Sequence, residues 1–157
     1  MGAAYFYHLT RKPLQETLAV LLEKARGAGW KIAVRGRDAE RMSWLDEALW
    51  LGREESFLAH GLAGGPHDAL QPILLTLEGQ EGQAAETNDP SCIMSVDGAE
   101  ITAPEVQALE RACILFDGRD AEAVQLARQQ WKALTSAGCS AQYWSEESGR
   151  WEKKAEA

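Results

Sequence analysis

The stretch QLARQQWKAL, residues 125–134, sets Arg128, Trp131 and Lys132 within one helical turn and contains no acidic residue. The chain as a whole carries 24 Asp and Glu against 16 Lys and Arg, so cations gathered around an indole stand apart from their background. On a helix, Val124, Ala127, Trp131 and Leu134 recur at three and four and define a core-facing stripe. Arg128 and Lys132 are four apart, each one position beyond that stripe, so both line its border and point the same way. An arginine can grip a carboxylate through two parallel hydrogen bonds, while a neighbouring lysine adds a point charge. A ligand both acidic and apolar would suit them, such as a C-terminal peptide carboxylate behind a bulky side chain. The same pattern also describes a helix with a core tryptophan and solvated cations at its rim, and composition alone favours that plainer description.

Other residues with chemical potential are sparse. Asp117 ends an apolar run, the position where α/β phosphotransfer enzymes place a carboxylate, which makes a small phosphotransfer or hydrolytic enzyme the alternative function. The following Gly118 makes an ordinary turn the simpler account, and no partner carboxylate stands near it. His8, His60 and His67 fall at no metal-binding spacing, so no metal is expected. Neither GxGxxG nor GxxxxGK followed by Ser or Thr occurs, and no GxSxG elbow is present, so no nucleotide cofactor and no serine nucleophile are expected. Cys92, Cys113 and Cys139 form no CxxC pair and sit in short apolar runs, which reads as buried, reduced thiols.

A chain of 157 residues is one ordinary domain in size, with 45% hydrophobic and 25% charged residues as in globular proteins. A formal charge of −8 argues against direct binding of duplex DNA. No apolar run approaches the roughly 18 residues that span a bilayer. The N-terminus also lacks a positive region followed by an apolar core, so a cytoplasmic location without membrane contact is expected.

The elements that must carry these residues alternate. A strand over 3–9 precedes a helix marked by Leu14, Leu18, Leu21, Leu22 and Ala25 and stopped by Gly27 and Gly29. A strand over 30–36 precedes a second helix, with Asp38 as N-cap and Met42, Leu45, Leu49 and Trp50 on one stripe. A brief extended stretch, a strand over 72–77, a polar Gly-rich loop over 78–90 and a strand from Cys92 follow. Thr102 and Glu105 fit a capping box for a short helix. A strand over 112–118, the helix that holds Arg128 and ends at Gly138, and a last strand over 139–144 complete the pattern. Such alternation implies an α/β fold, a three-layer sandwich with a mostly parallel sheet and helices on both faces. Residues 1–144 are expected to form that single domain and 145–157 a charged, flexible tail.

Two blocks carry a resemblance. LDEALW (45–50) with ESFLAH (55–60) and GLAG, and QLARQQWKAL before the last strand, resemble the chi subunit of bacterial DNA polymerase III. The resemblance covers roughly the first 65 residues and residues 104–144, with AAYFYHL similar to the family's first strand. It implies a Rossmann-like fold without nucleotide binding or catalysis. It also implies a replication accessory subunit that ties the clamp loader, through the psi subunit, to single-stranded DNA-binding protein. That protein ends in an acidic tail with a terminal Phe carboxylate, so contact with nucleic acid would be indirect. Carried over by position, the resemblance assigns Arg128 and Lys132 to the tail's carboxylates, with Trp131 as the aromatic beside them. It assigns Trp50 to a wall of the same pocket and Phe57 to the side that meets psi.

Overall fold

The computed structural model describes residues 2–51, 60–63, 67–78 and 88–157. These form eight strands and four α-helices in the order β1 Ala3–Leu9, α1 Leu14–Gly27, β2 Ile32–Gly36, α2 Ala39–Leu51, β3 Gly61–Leu62, β4 Ile73–Leu77, β5 Cys92–Ser95, α3 Ala103–Ala108, β6 Arg111–Asp117, α4 Ala121–Ser136, β7 Ser140–Ser145 and β8 Glu152–Glu156, with a short 3-10 turn at Asp68–Leu70 before β4. The strands make one sheet in the order β3-β4-β2-β5-β6-β1-β7-β8. β1 to β7 pair in parallel, and β8 runs antiparallel to β7.

Parallel strands covered on both faces read as nearly unbroken apolar runs, and β2 and β6 do so. Alternate residues then serve opposite layers. Tyr7, Val34, Met94 and Cys113 pack under α1 and α2, whereas Phe6, Ala33, Ile93 and Ile114 pack under α3 and α4. The three cysteines are buried and free. One charged side chain also sits inside the second layer. Arg35 on β2 is buried, donates to the Glu105 carboxylate and the Glu100 carbonyl, and so ties the sheet to α3.

Local signals bound the helices, with the Thr102–Glu105 box and Gly138 at the expected places. Glu105 N donates to Thr102 Oγ1 and Thr102 N to Glu105 Oε1, the capping box of α3. Asp120 caps α4 by accepting from the N–H groups of Glu122 and Ala123. Gly138, at φ 90°, lets the chain turn out of α4 so that Cys139 N returns to the Leu134 carbonyl.

The chain beyond Trp144 corrects the expected boundary. Residues 145–157 do not lie outside the domain: Trp151 packs on the α1 face and Glu152–Glu156 adds the eighth strand. Little apolar character marks that strand, because it needs only β7's free edge as a hydrogen-bonding template. It is anchored by Glu146, whose Oε1 accepts from the backbone N–H groups of Thr10, Arg11 and Lys12 at 3.0, 2.8 and 3.1 Å.

Candidate functional site

α4 lies across β1, β6 and β7 with Ala127 and Leu134 buried and Val124 and Trp131 half-buried against the sheet. The expected stripe is therefore its packing face. Trp131 meets Phe6 edge-on, with centroids 5.3 Å apart, and Tyr143 at 6.3 Å. Tyr143 in turn holds its hydroxyl 2.6 Å from His8 Nδ1, and the His8 ring stacks on Phe116 at 5.2 Å. That stack explains Gly118. A Cβ there would come within 1.8 Å of the His8 ring.

Between α4 and this aromatic floor opens a cavity of about 400 Å3. Phe116, Trp131 and Tyr143 form its base, Arg128 stands on one rim and Lys154 of β8 on the other. Among the described residues no carboxylate lines it, although Glu152 reaches the Lys154 ammonium from outside at 3.2 Å. Lys154 arrives through an irregularity in the β7–β8 ladder: Tyr143 pairs with Ala155 and Trp144 with Lys153, leaving Lys154 as an extra residue. Such a bulge re-aims side chains, and here it brings consecutive residues Lys154 and Ala155 to the same cavity. Burial pushes the Tyr143 phenol above its ordinary range, against the Arg128 charge, which lowers it, so the floor stays neutral.

Arg128 is exposed and has neither an ion pair nor a hydrogen bond among the described residues. The carboxyl ends of the strands, where α/β sheets usually bind ligands, differ in this respect. There Arg41 pairs with Asp97 at 3.1 Å, Arg119 with Asp117 at 3.4 Å and Arg37 with Glu78 at 3.5 Å. Asp117 also accepts the backbone N–H of Arg119 at 2.9 Å, the geometry of a turn before α4. Among the described residues, no group of three His, Cys, Asp or Glu side chains is arranged to hold a metal.

A scan of family models matches residues 1–142 to the DNA polymerase III chi subunit, HolC. The chain belongs to that family. Its members are accessory subunits of the replicative polymerase, and no curated protein matches the chain. No helix among the described residues is long and apolar enough to cross a membrane.

Set against the family-based assignments, the geometry keeps some residues together and separates others. Arg128 and Trp131 share the cavity. Lys132, one helical turn beyond Arg128, is exposed next to it without lining it. Trp50 does not wall that pocket. It ends α2 on the opposite layer, about half exposed, with its ring stacked on His60 at a centroid distance of 4.2 Å. Helices α2 and α4 cover opposite faces of the sheet, so no rotamer could bring Trp50 to Trp131. Phe57 lies outside the described residues. Sequence reasoning missed Lys154, Tyr143 and Phe116, whose relation to α4 depends on strand order. The one local signal was Tyr143, an aromatic in the strand directly after the helix.

Proposed function

We propose that this chain is a non-catalytic adaptor of the DNA polymerase III holoenzyme. It links the clamp loader to single-stranded DNA-binding protein by holding that protein's acidic C-terminal tail against α4. The observation that carries this reading is the cavity with an aromatic floor and, on its rim, the Arg128 guanidinium without a partner among the described residues, in a chain of net charge −8. A terminal aromatic side chain packs over Trp131 and Tyr143, while Arg128 and the adjoining Lys132 receive the carboxylates and Lys154, paired with Glu152, borders the cavity. DNA coated by its binding protein offers many copies of one tail, so a modest single contact becomes firm attachment by multivalency. An adaptor of this kind needs no basic groove of its own.

The clamp-loader side is assigned to the opposite layer. Trp50, Leu51, Leu62 and Leu70 leave large apolar surface exposed near the β3 edge, which supports a protein interface with psi or its equivalent. Phe57 belongs to the chain segment between α2 and that edge.

The test is a calorimetric titration of the full chain with the acidic tail peptide and with the same peptide lacking its terminal Phe. The expected result is saturable binding by the first, weakened by salt, and little by the second. Equal binding of both peptides, or none, would sink the proposal.

A further inference from the structure

The opposite face carries a second cleft, of about 520 Å3, between α1 and the β7–β8 hairpin. Three of the six tryptophans meet there: Trp30 from just before β2, Trp144 from β7 and Trp151 from just before β8. Trp151 stands edge-on to Tyr7, with centroids 5.4 Å apart, so one indole is fixed in orientation. The floor is apolar and includes Met94, Cys92 and Cys113. The hydrogen bond to Cys113, together with burial, pushes the Cys92 thiol up, and burial does the same to the Tyr7 phenol. Both therefore remain uncharged near neutral pH.

All the charge in the cleft is positive. Lys12, Lys24 and Arg111 line it and, among the described residues, no carboxylate does. The Arg111 guanidinium carbon lies 4.2 Å from the Tyr5 ring centre and 5.2 Å from that of Trp30, held by two π-faces. No ion pair or hydrogen bond occupies its N–H groups among the described residues. A further polar group is unanswered: Thr17, only 3% exposed, lines the cleft with its hydroxyl unpartnered. A buried hydroxyl without a partner costs stability unless something supplies the hydrogen bond.

We infer that this cleft is a binding site for a small aromatic monocarboxylate. Its flat apolar body stacks among the indoles, its carboxylate meets the Arg111 fork, and Lys24 adds charge from α1. The size is that of a small-molecule site, mostly apolar with a few polar groups that orient the ligand. A nucleic-acid strand is disfavoured, because a polyanion would face the net charge of −8 with few phosphate partners. The site lies on the layer opposite Arg128 and shares no lining residue with the α4 cavity.

Naphthoate and its neutral analogue naphthamide serve as probes, with the full chain followed by the indole N–H resonances of its six tryptophans. Naphthoate should shift Trp30, Trp144 and Trp151 saturably, and naphthamide should bind about tenfold more weakly for want of the charge-assisted hydrogen bonds. Arg111→Gln should cost naphthoate a similar factor. Lys24→Gln, on the exposed face of α1 and harmless to folding, should weaken it by about twofold to threefold. Arg128→Ala should leave it unchanged. Equal affinity for acid and amide, saturable shifts confined to Trp131 or Trp50, or no saturable shift at all would overturn the inference.

Discussion

Arg128 is the cation on the α4 face that both lines the cavity and lacks a partner among the described residues, while Lys132 stands beside it in solvent. Substitutions should therefore differ in effect. Arg128→Ala is expected to weaken the tail peptide about tenfold or more, through loss of a bidentate, charge-assisted contact. Lys132→Ala should cost only about twofold to threefold, as for an exposed, screened charge. Both should leave thermal stability within about 0.5 kcal/mol of wild type, because neither side chain is buried. Calorimetric titration and thermal melts of the two variants check this, and equal losses would place the carboxylate contact outside the cavity.

A second residue matters for stability. Burial alone would raise the Glu146 carboxyl, but the backbone N–H groups of Arg11, Lys12 and Thr10 outweigh it and hold the group below the usual carboxylate range. Between that depressed value and the unfolded value of about 4.3, the native chain binds fewer protons than the unfolded chain. Stability therefore rises with pH through that window, is complete above it, and is lost as pH falls through the native value. Glu146→Gln should cost about 1–2 kcal/mol at neutral pH and flatten the acid limb of a melting-temperature profile. An unchanged acid limb would show that Glu146 does not anchor the loop.

Among the elements, β8 joins the two sites. It brings Lys154 to the α4 cavity on one face, and Trp151, just ahead of it, to the tryptophan cleft on the other. A chain ending after Glu147 keeps the Glu146 anchor but loses both side chains and uncovers the edge of β7. Loss of the buried Trp151 surface should cost about 2–3 kcal/mol, or roughly 5–10 °C in melting temperature for a chain of this size. The same truncation should weaken the tail peptide several-fold. Calorimetry and titration of the shortened chain measure the two effects separately. This element was illegible in the sequence for a plain reason: EKKAE carries no apolar alternation, since an edge strand over a solvated face gains its place from backbone hydrogen bonds. By contrast the stripe and terminal glycine of α4 were legible, because both act within a few residues.

For the whole molecule, opposite layers of one sheet separate the cavity by Arg128 from the apolar surface around Trp50. An adaptor built this way should hold both partners at once. The tail peptide is expected to bind with the same affinity, within about twofold, whether or not a clamp-loader partner is already in place, because among the described residues no element contacts both sites. Titration of the preformed complex decides it, and mutual exclusion would refute the two-face arrangement. What the sequence by itself determined is what short-range spacing encodes: the alternation of strands and helices, the capping box of α3, the glycine that ends α4, and the grouping of Arg128, Trp131 and Lys132 on one helix. Side chains three and four apart on a helix are neighbours whatever surrounds them. Only the tertiary structure decided that Lys154 joins that group, that Trp50 leaves it, and that Trp30, Trp144 and Trp151 converge on one cleft. Those relations follow from strand order and from which face each crossover covers, and both are settled when the sheet buries its two apolar faces together, over separations that no local pattern records.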